Sequence, residues 1–312
     1  MILSASRRTD IPAFYSEWFF NRIKEGYLLV RNPMNIHQVS RINLSPQLVD
    51  CIVFWTKNPK PMLKRLDELK NYKYYFQFTL NSYDKTIEPN VPLKKDLIET
   101  FIKMSTLIGK ERVIWRYDPI LLTNVFTKEY HYKWFEKLAQ KLSPYTNKCV
   151  ISFVDLYKKT ERNLKGIELL PLTNSDMKEI ANNLAAISSN YGFSIETCSE
   201  AISLENCNIV HGKCINDRLI SSIIGTPLTI EKDPYQREIC GCVKSIDVGA
   251  YNTCKHECFY CYANFSKDTV IKNISQHNSK SPLLFGELGE NDKITDRDMK
   301  SYVDKQISLI DF

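Results

Sequence analysis

The sequence predicts an α/β chain built as a β/α (TIM-like) barrel, and three observations predict it. Short, nearly continuous apolar runs recur along the first 200 residues. Amphipathic stretches of helical length separate them, and polar or charged residues gather directly after each run. The runs fall at residues 2–6, 27–31, 51–56, 74–80, 112–117, 150–154 and 193–197. Each has the length and composition of a strand buried on both faces, as parallel strands are. Helical patterns lie at 15–24, 61–69, 94–108, 128–142 and 175–190, the last with Asn174 and Ser175 as cap residues and Glu179 early in it.

Alternation of the two patterns implies a parallel sheet covered by helices, and seven strand candidates favour a barrel over an open doubly wound sheet. The chain has ten glycines, none in a G-x-G-x-x-G arrangement, which argues against a dinucleotide-binding sheet.

The residues that follow the runs are candidates for a rim. Ser6, Arg7, Arg8 and Asp10 follow the first run and Asn32 the second; Lys57 and Asn58 follow the third and Asn81 the fourth. Arg116 and Asp118 close the fifth, Asp155 and Tyr157 the sixth, and Glu196 and Glu200 flank the seventh. In a β/α barrel the carboxyl ends of the strands form one rim, where active sites lie. Capping and loop residues give the same pattern, so the set is more telling than any single member.

Composition bounds the setting. The 312 residues carry a net charge of +6 and 43% hydrophobic residues, a balance that permits an acidic partner without requiring one. No run of uncharged apolar residues is long enough to span a membrane, and the N-terminal MILSASRRTD lacks the features of a secretory signal. A cytoplasmic protein with no membrane partner is expected. Ten cysteines in such a chain point to metal or redox chemistry rather than disulfides.

Two of them, Cys51 and Cys149, begin apolar runs and read as core residues, whereas the other eight lie between Cys198 and Cys261. Residues 1–200 are therefore expected to form the barrel body, 201–268 a cysteine-rich segment and 269–312 a polar tail with one apolar run at 282–284.

The segment YNTCKHECFYCYAN places Cys254, Cys258 and Cys261 in a C-x3-C-x2-C spacing. Three thiolates on one loop can hold three irons of a 4Fe–4S cluster and leave the fourth open for a small molecule. His256 lies inside the loop and is expected to be solvated. Residues 243–250 are the candidate strand leading into it. A second group, Cys198, Cys214, Cys240 and Cys242, with Cys207 spare, would suit a second 4Fe–4S cluster or a zinc ion.

The spacing, with aromatic Tyr260 before the last cysteine, resembles the signature of the radical S-adenosylmethionine superfamily. Over nearly the whole chain, SASRRTDIPAF, FWTKNP, WRYDPI, the CGC of 240–242 and YNTCKHECFYCYAN resemble one bacterial family catalogued as a domain of unknown function. That family carries a C-terminal cysteine cluster similar to those enzymes. The resemblance implies one or two 4Fe–4S clusters, S-adenosylmethionine, a reductant such as flavodoxin or ferredoxin, and hydrogen abstraction from an unknown small-molecule or macromolecular substrate.

Such enzymes usually carry the motif after the first strand. Its place near the C-terminus here implies a permuted barrel. Arg7, Arg8, Asp10 and Tyr260 are then candidates for contacts to the cofactor, and Lys57, Arg116 and Asp118 for contacts to substrate. A non-catalytic iron–sulfur or zinc protein acting in electron transfer or nucleic-acid binding is the competing expectation, since Tyr251, Phe259, Tyr260, Tyr262 and Phe265 could stack on bases.

Overall fold

The structure is a computed structural model that describes residues 1–155 and 158–304, with the side chains of 158 and 159 outside the description. Tyr157, a rim candidate, lies outside the described residues. In chain order the elements are β1 (Ile2–Ala5), α1 (Ile11–Phe14), α2 (Ser16–Glu25), β2 (Tyr27–Asn32), β3 (Asn35–Asn43), β4 (Cys51–Thr56) and β5 (Tyr74–Thr79). They continue with α3 (Lys94–Ile108), β6 (Val113–Ile120), α4 (Lys128–Leu142), β7 (Lys148–Phe153), α5 (Lys158–Asn163), α6 (Asn174–Tyr191) and β8 (Ser194–Thr197). Last come β9 (Val210–His211), α7 (Asp217–Ile224), β10 (Ile246–Asp247), α8 (Lys267–Ser275) and β11 (Lys293–Asp296).

Eight strands form one parallel sheet in the order β10-β1-β4-β5-β6-β7-β8-β9. Among the described residues no strand pairing joins β9 to β10. Side-chain alternation separates its two faces. Leu3, Phe54, Phe76, Trp115 and Ile151 pack into the larger cluster with the helices. Ile2, Val53, Tyr75, Ile114 and Val150 face the other way, against Cys214, Ile215, Cys240, Cys242 and Val243. The cysteine-rich segment therefore covers the second face. Tyr75 makes the join explicit, its hydroxyl donating to the Cys214 carbonyl at 2.6 Å.

Cys51 and Cys149 are buried in the sheet as expected. The expected strand at 27–31 does not belong to it. As β2 it pairs antiparallel with β3, and β11 lies parallel on the far side of β3 in a separate three-stranded sheet. Only Pro33 and Met34 separate β2 from β3. So short a link makes a hairpin, because a parallel crossover needs a dozen or more residues.

The helical pattern at 61–69 is a 3-10 helix, Leu63–Leu69. Its apolar residues Leu63, Leu66 and Leu69 recur every third position, which three residues per turn place on one buried side. The cap of α6 is Thr173, not Asn174 or Ser175: its hydroxyl accepts from Asp176 N at 3.1 Å while the Asp176 carboxylate accepts from Thr173 N at 2.9 Å.

Within 243–250 only Ile246–Asp247 is strand, pairing with Leu3 and Ser4 of β1, and Val248 N extends the contact to Ser4 O at 3.0 Å. The tail docks. Leu29 N donates to Pro282 O at 2.9 Å, Trp18 Nε1 donates to Ser281 O at 2.9 Å, and Leu283 and Leu284 are buried. No helix among the described residues is long and apolar enough to cross a membrane.

Candidate functional site

The residues at the carboxyl ends of the parallel strands surround one cavity of about 690 Å³. Ser6, Thr56, Thr79, Arg116, Ser152 and Cys198 line it, one from each of β1, β4, β5, β6, β7 and β8 or the residue beyond. Its size falls in the ~300–1,000 Å³ range of small-molecule sites. The cysteine-rich segment supplies the opposite wall, so that Cys198, Cys214, Cys240 and Cys242 line the same cavity as Cys254, Cys258 and Cys261.

The three-cysteine loop leaves β10 and is closed by its own asparagines. Asn252 N donates to Ala263 O at 2.9 Å, and Asn264 Nδ2 donates to Cys254 O at 2.7 Å. Neighbouring elements hold its outer side. Tyr15 donates to Thr253 O at 2.5 Å, Asn90 Nδ2 to Lys255 O at 3.0 Å, and Asn163 Nδ2 to Cys261 O at 2.9 Å.

Glu257 takes φ +54°, a left-handed step between the first two cysteines. Ala263 N donates to Cys261 Sγ at 3.4 Å. Burial pushes all three thiols up, Cys258 to about 12 although the Lys57 ammonium opposes the rise.

His256 is not solvated as the sequence suggested. It is 2% exposed, and its Nε2 donates to Asp10 Oδ2 at 2.9 Å. Asp10, a candidate for the cofactor, is already engaged on both oxygens. Oδ1 caps α1 by accepting from Ala13 N at 2.9 Å, and Oδ2 also accepts from Lys57 N at 2.7 Å. One carboxylate thus joins the turn after β1, the turn after β4 and the cysteine loop.

Tyr260 and Lys57 meet each other. The Tyr260 hydroxyl lies 2.6 Å from Lys57 Nζ and 3.1 Å from Asn81 Nδ2, and it donates to Glu88. Lys57 Nζ donates to Glu88 at 2.8 Å, and Lys94 pairs with the other Glu88 oxygen. Burial would raise the Glu88 carboxyl, but the two ammonium groups outweigh it and bring it to about 2. No motif singled out Glu88; its burial comes only from the folding of the loop between β5 and α3.

The second cysteine group forms a chain of contacts. Cys198 Sγ lies 3.0 Å from Cys214 Sγ, Cys214 meets Cys242, and Cys242 meets Cys240. Cys207 is elsewhere, buried against the Lys178 carbonyl. Arg116 Nη1 donates to Cys214 Sγ at 2.9 Å while its Nε donates to Asp118 Oδ2 at 3.0 Å. Asp118 also accepts from Ser152. Arg116 and Asp118 line the cavity, and the guanidinium is turned toward the thiols. Among the described residues no three His, Cys, Asp or Glu side chains are set to hold a single metal ion.

Arg7 and Arg8 remain. Arg7 N donates to Asp247 Oδ2 at 2.8 Å, and its guanidinium lies 5.3 Å over the Trp55 ring. Arg8 lies 5.2 Å over Tyr251 and 3.9 Å from Asp247. Asp247, which the sequence did not single out, also accepts from Ser4 at 2.7 Å and Ser6 at 2.6 Å, so β10 is locked to the end of β1. Asp155, a rim candidate, pairs with Arg237 at 2.7 Å, and both line the cavity.

Fold and site together define an α/β protein with a cysteine-lined cavity at the carboxyl edge of a parallel sheet. The chain belongs to the family described as Domain of unknown function (DUF1848), which matches residues 2–263. No curated protein matches it. Among solved structures it resembles a Bacteroides thetaiotaomicron VPI-5482 protein assigned as an alpha-L-fucosidase. The identity is 10% and the TM-score 0.27, over 52% of this chain and 66% of that chain, too distant to carry an argument.

Proposed function

We propose that this protein is an iron–sulfur enzyme of the radical S-adenosylmethionine type. The observation that supports the reading is the convergence of both cysteine groups on one cavity where the parallel strands end. Cys254, Cys258 and Cys261 fit a 4Fe–4S cluster as a donor set, being three cysteines that line the cavity on a loop whose backbone carbonyls accept from Tyr15, Asn90 and Asn163. Bound there, the cluster and S-adenosylmethionine supply a radical able to take hydrogen from a substrate.

The chain's own groups prepare the site. Lys57 faces Cys258, and Arg116 faces Cys214, so cations stand where thiolates form on metal loading. Cys198, Cys214, Cys240 and Cys242 would supply the thiolates of a second centre, a 4Fe–4S cluster or zinc, once metal loading draws their chain of contacts around it. The protein works in the cytoplasm with flavodoxin or ferredoxin as reductant. The sheet belongs to a permuted barrel in which β10 delivers the loop that usually follows the first strand; residues 1–200 are the body and 201–268 the metal-bearing segment.

Anoxic reconstitution with iron and sulfide tests the reading. The wild type should bind about four irons per cluster and, with dithionite, cleave S-adenosylmethionine to deoxyadenosine and methionine. Cys258→Ala should fold and lose that cleavage. A well-loaded wild type without cleavage would mean a non-catalytic iron–sulfur protein, and zinc in both sets a structural metal protein.

A further inference from the structure

Buried polar atoms in a folded chain are nearly always hydrogen-bonded, so those that are not mark places where something else binds. Six buried side-chain polar atoms among the described residues have no partner, and four of them belong to residues lining this cavity: Arg7 Nη2, Thr9 Oγ1, His256 Nδ1 and Asn264 Oδ1. They divide by position. His256 and Asn264 are on the cysteine loop; Asn264 Oδ1 is an acceptor, and His256 Nδ1 is one when the ring carries its single proton on Nε2, toward Asp10. Arg7 and Thr9 are on the turn after β1 and offer donors.

Among the described residues the buried Arg7 Nη2 has no hydrogen-bond partner. The cavity's carboxylates are committed elsewhere, Asp10 to the α1 cap, Lys57 N and His256, and Asp118 to Arg116 and Ser152. Asp247 accepts from the Arg7 backbone, not its guanidinium. The guanidinium carbon lies 5.3 Å from the Trp55 ring centroid, a contact that takes up no N–H, so the unpartnered Nη2 is available to a planar or tetrahedral oxyanion. Trp55, under the guanidinium, packs against the cluster that holds Cys214 and Cys242 of the second group, whereas Lys57 is the cation beside Tyr260 of the three-cysteine loop.

We propose that Arg7, assisted by Thr9, anchors a carboxylate or phosphate group of the substrate on the side of the cavity next to Cys214 and Cys242. Assigning this anion to the substrate rests on the radical-enzyme reading, because that reading gives the cofactor to the three-cysteine loop. The site selects small acidic molecules over neutral ones, and a bidentate fork on Trp55 fixes the orientation of the bound group.

Calorimetric titration of the anoxically reconstituted chain in chloride-free buffer, with succinate and with inorganic phosphate as probes, tests this. One probe should bind at a single site and identify the oxyanion. Arg7→Gln should weaken it about tenfold or more, the contribution of a charge-assisted pair, and Arg7→Lys should weaken it less. Should Arg7→Gln not fold, Arg7→Lys alone must still lower the affinity, because an ammonium lacks the fork. Saturating S-adenosylhomocysteine should leave the anion affinity unchanged.

Failure of both probes to bind the wild type, equal affinity in the Arg7 variants, or displacement by S-adenosylhomocysteine overturns the assignment. So does anion binding that vanishes once iron and sulfide are loaded, since the guanidinium would then serve the thiolates. If the chain holds only zinc and still binds the probe through Arg7, the anion site stands and the radical reading fails.

Discussion

His256 Nε2 donates to Asp10 Oδ2 at 2.9 Å, joining residues 246 positions apart and tying the cysteine loop to the first turn of the sheet. That carboxylate also caps α1 and holds Lys57 N. Asp10→Ala should cost about 2–4 kcal/mol, the sum of a lost cap and lost charge-assisted bonds. Asp10→Asn, which keeps an acceptor, should cost less. Urea unfolding checks both, and equal stability of Asp10→Ala and wild type would show that the loop is held by other contacts.

The two cysteine groups should be separable by metal analysis. Replacing Cys258 should remove the metal of the loop and leave that of the second group, and replacing Cys242 should do the reverse. If both sites carry cubanes, each change lowers iron from about eight to about four per chain. Loss of all metal in either variant would mean one shared centre.

Arg116 connects Asp118 to Cys214 from a buried position. Arg116→Leu leaves a carboxylate without its cation and should destabilise the fold by about 3–5 kcal/mol. Arg116→Lys should retain part of the stability but hold the second metal less tightly, because a single ammonium cannot reach carboxylate and sulfur with a fixed fork. Retention of that metal against a graded chelator measures the difference.

Acid should weaken the fold through His131. Its ring is buried, with Nδ1 accepting from Tyr117 at 2.8 Å and Nε2 donating to Leu121 O at 2.9 Å. Burial lowers its pKa from 6.5 to about 4, against the hydrogen bond to Leu121. The folded ring therefore stays neutral where the unfolded ring takes a proton. This stability is whole above 6.5 and falls as pH drops toward 4, by at most about 3 kcal/mol. Denaturation midpoints at several pH values should show the fall, and His131→Gln should flatten it. An unchanged slope in that variant would locate the acid sensitivity elsewhere.

What could be read in advance depended on whether a residue's role follows from its neighbours in sequence. Strands β4, β5 and β7 announce themselves because both faces are buried, leaving little room for polar residues. Helices α3 and α4 have the predicted limits, since amphipathic spacing over 15 residues admits few alternatives. β3 passed unnoticed because most of its side chains are exposed or half-buried, and its apolar residues are few.

In the site, the cysteines and the rim arginines were legible as types. Glu88, Asp247 and His256 were not, because each acquires its partner across more than a hundred residues or from a loop with no pattern of its own, and burial in a loop has no period.

By itself the sequence determined the alternation that makes a parallel sheet and the C-x3-C-x2-C spacing of the cysteine loop, since both depend on residues close in the chain. Only the tertiary structure decided that the two cysteine groups share one cavity, that Asp10 and Lys57 brace the loop, and that Arg7 keeps a buried donor unpaired. Contacts of this kind join distant segments, and they exist only once the sheet has packed and its second face has been covered.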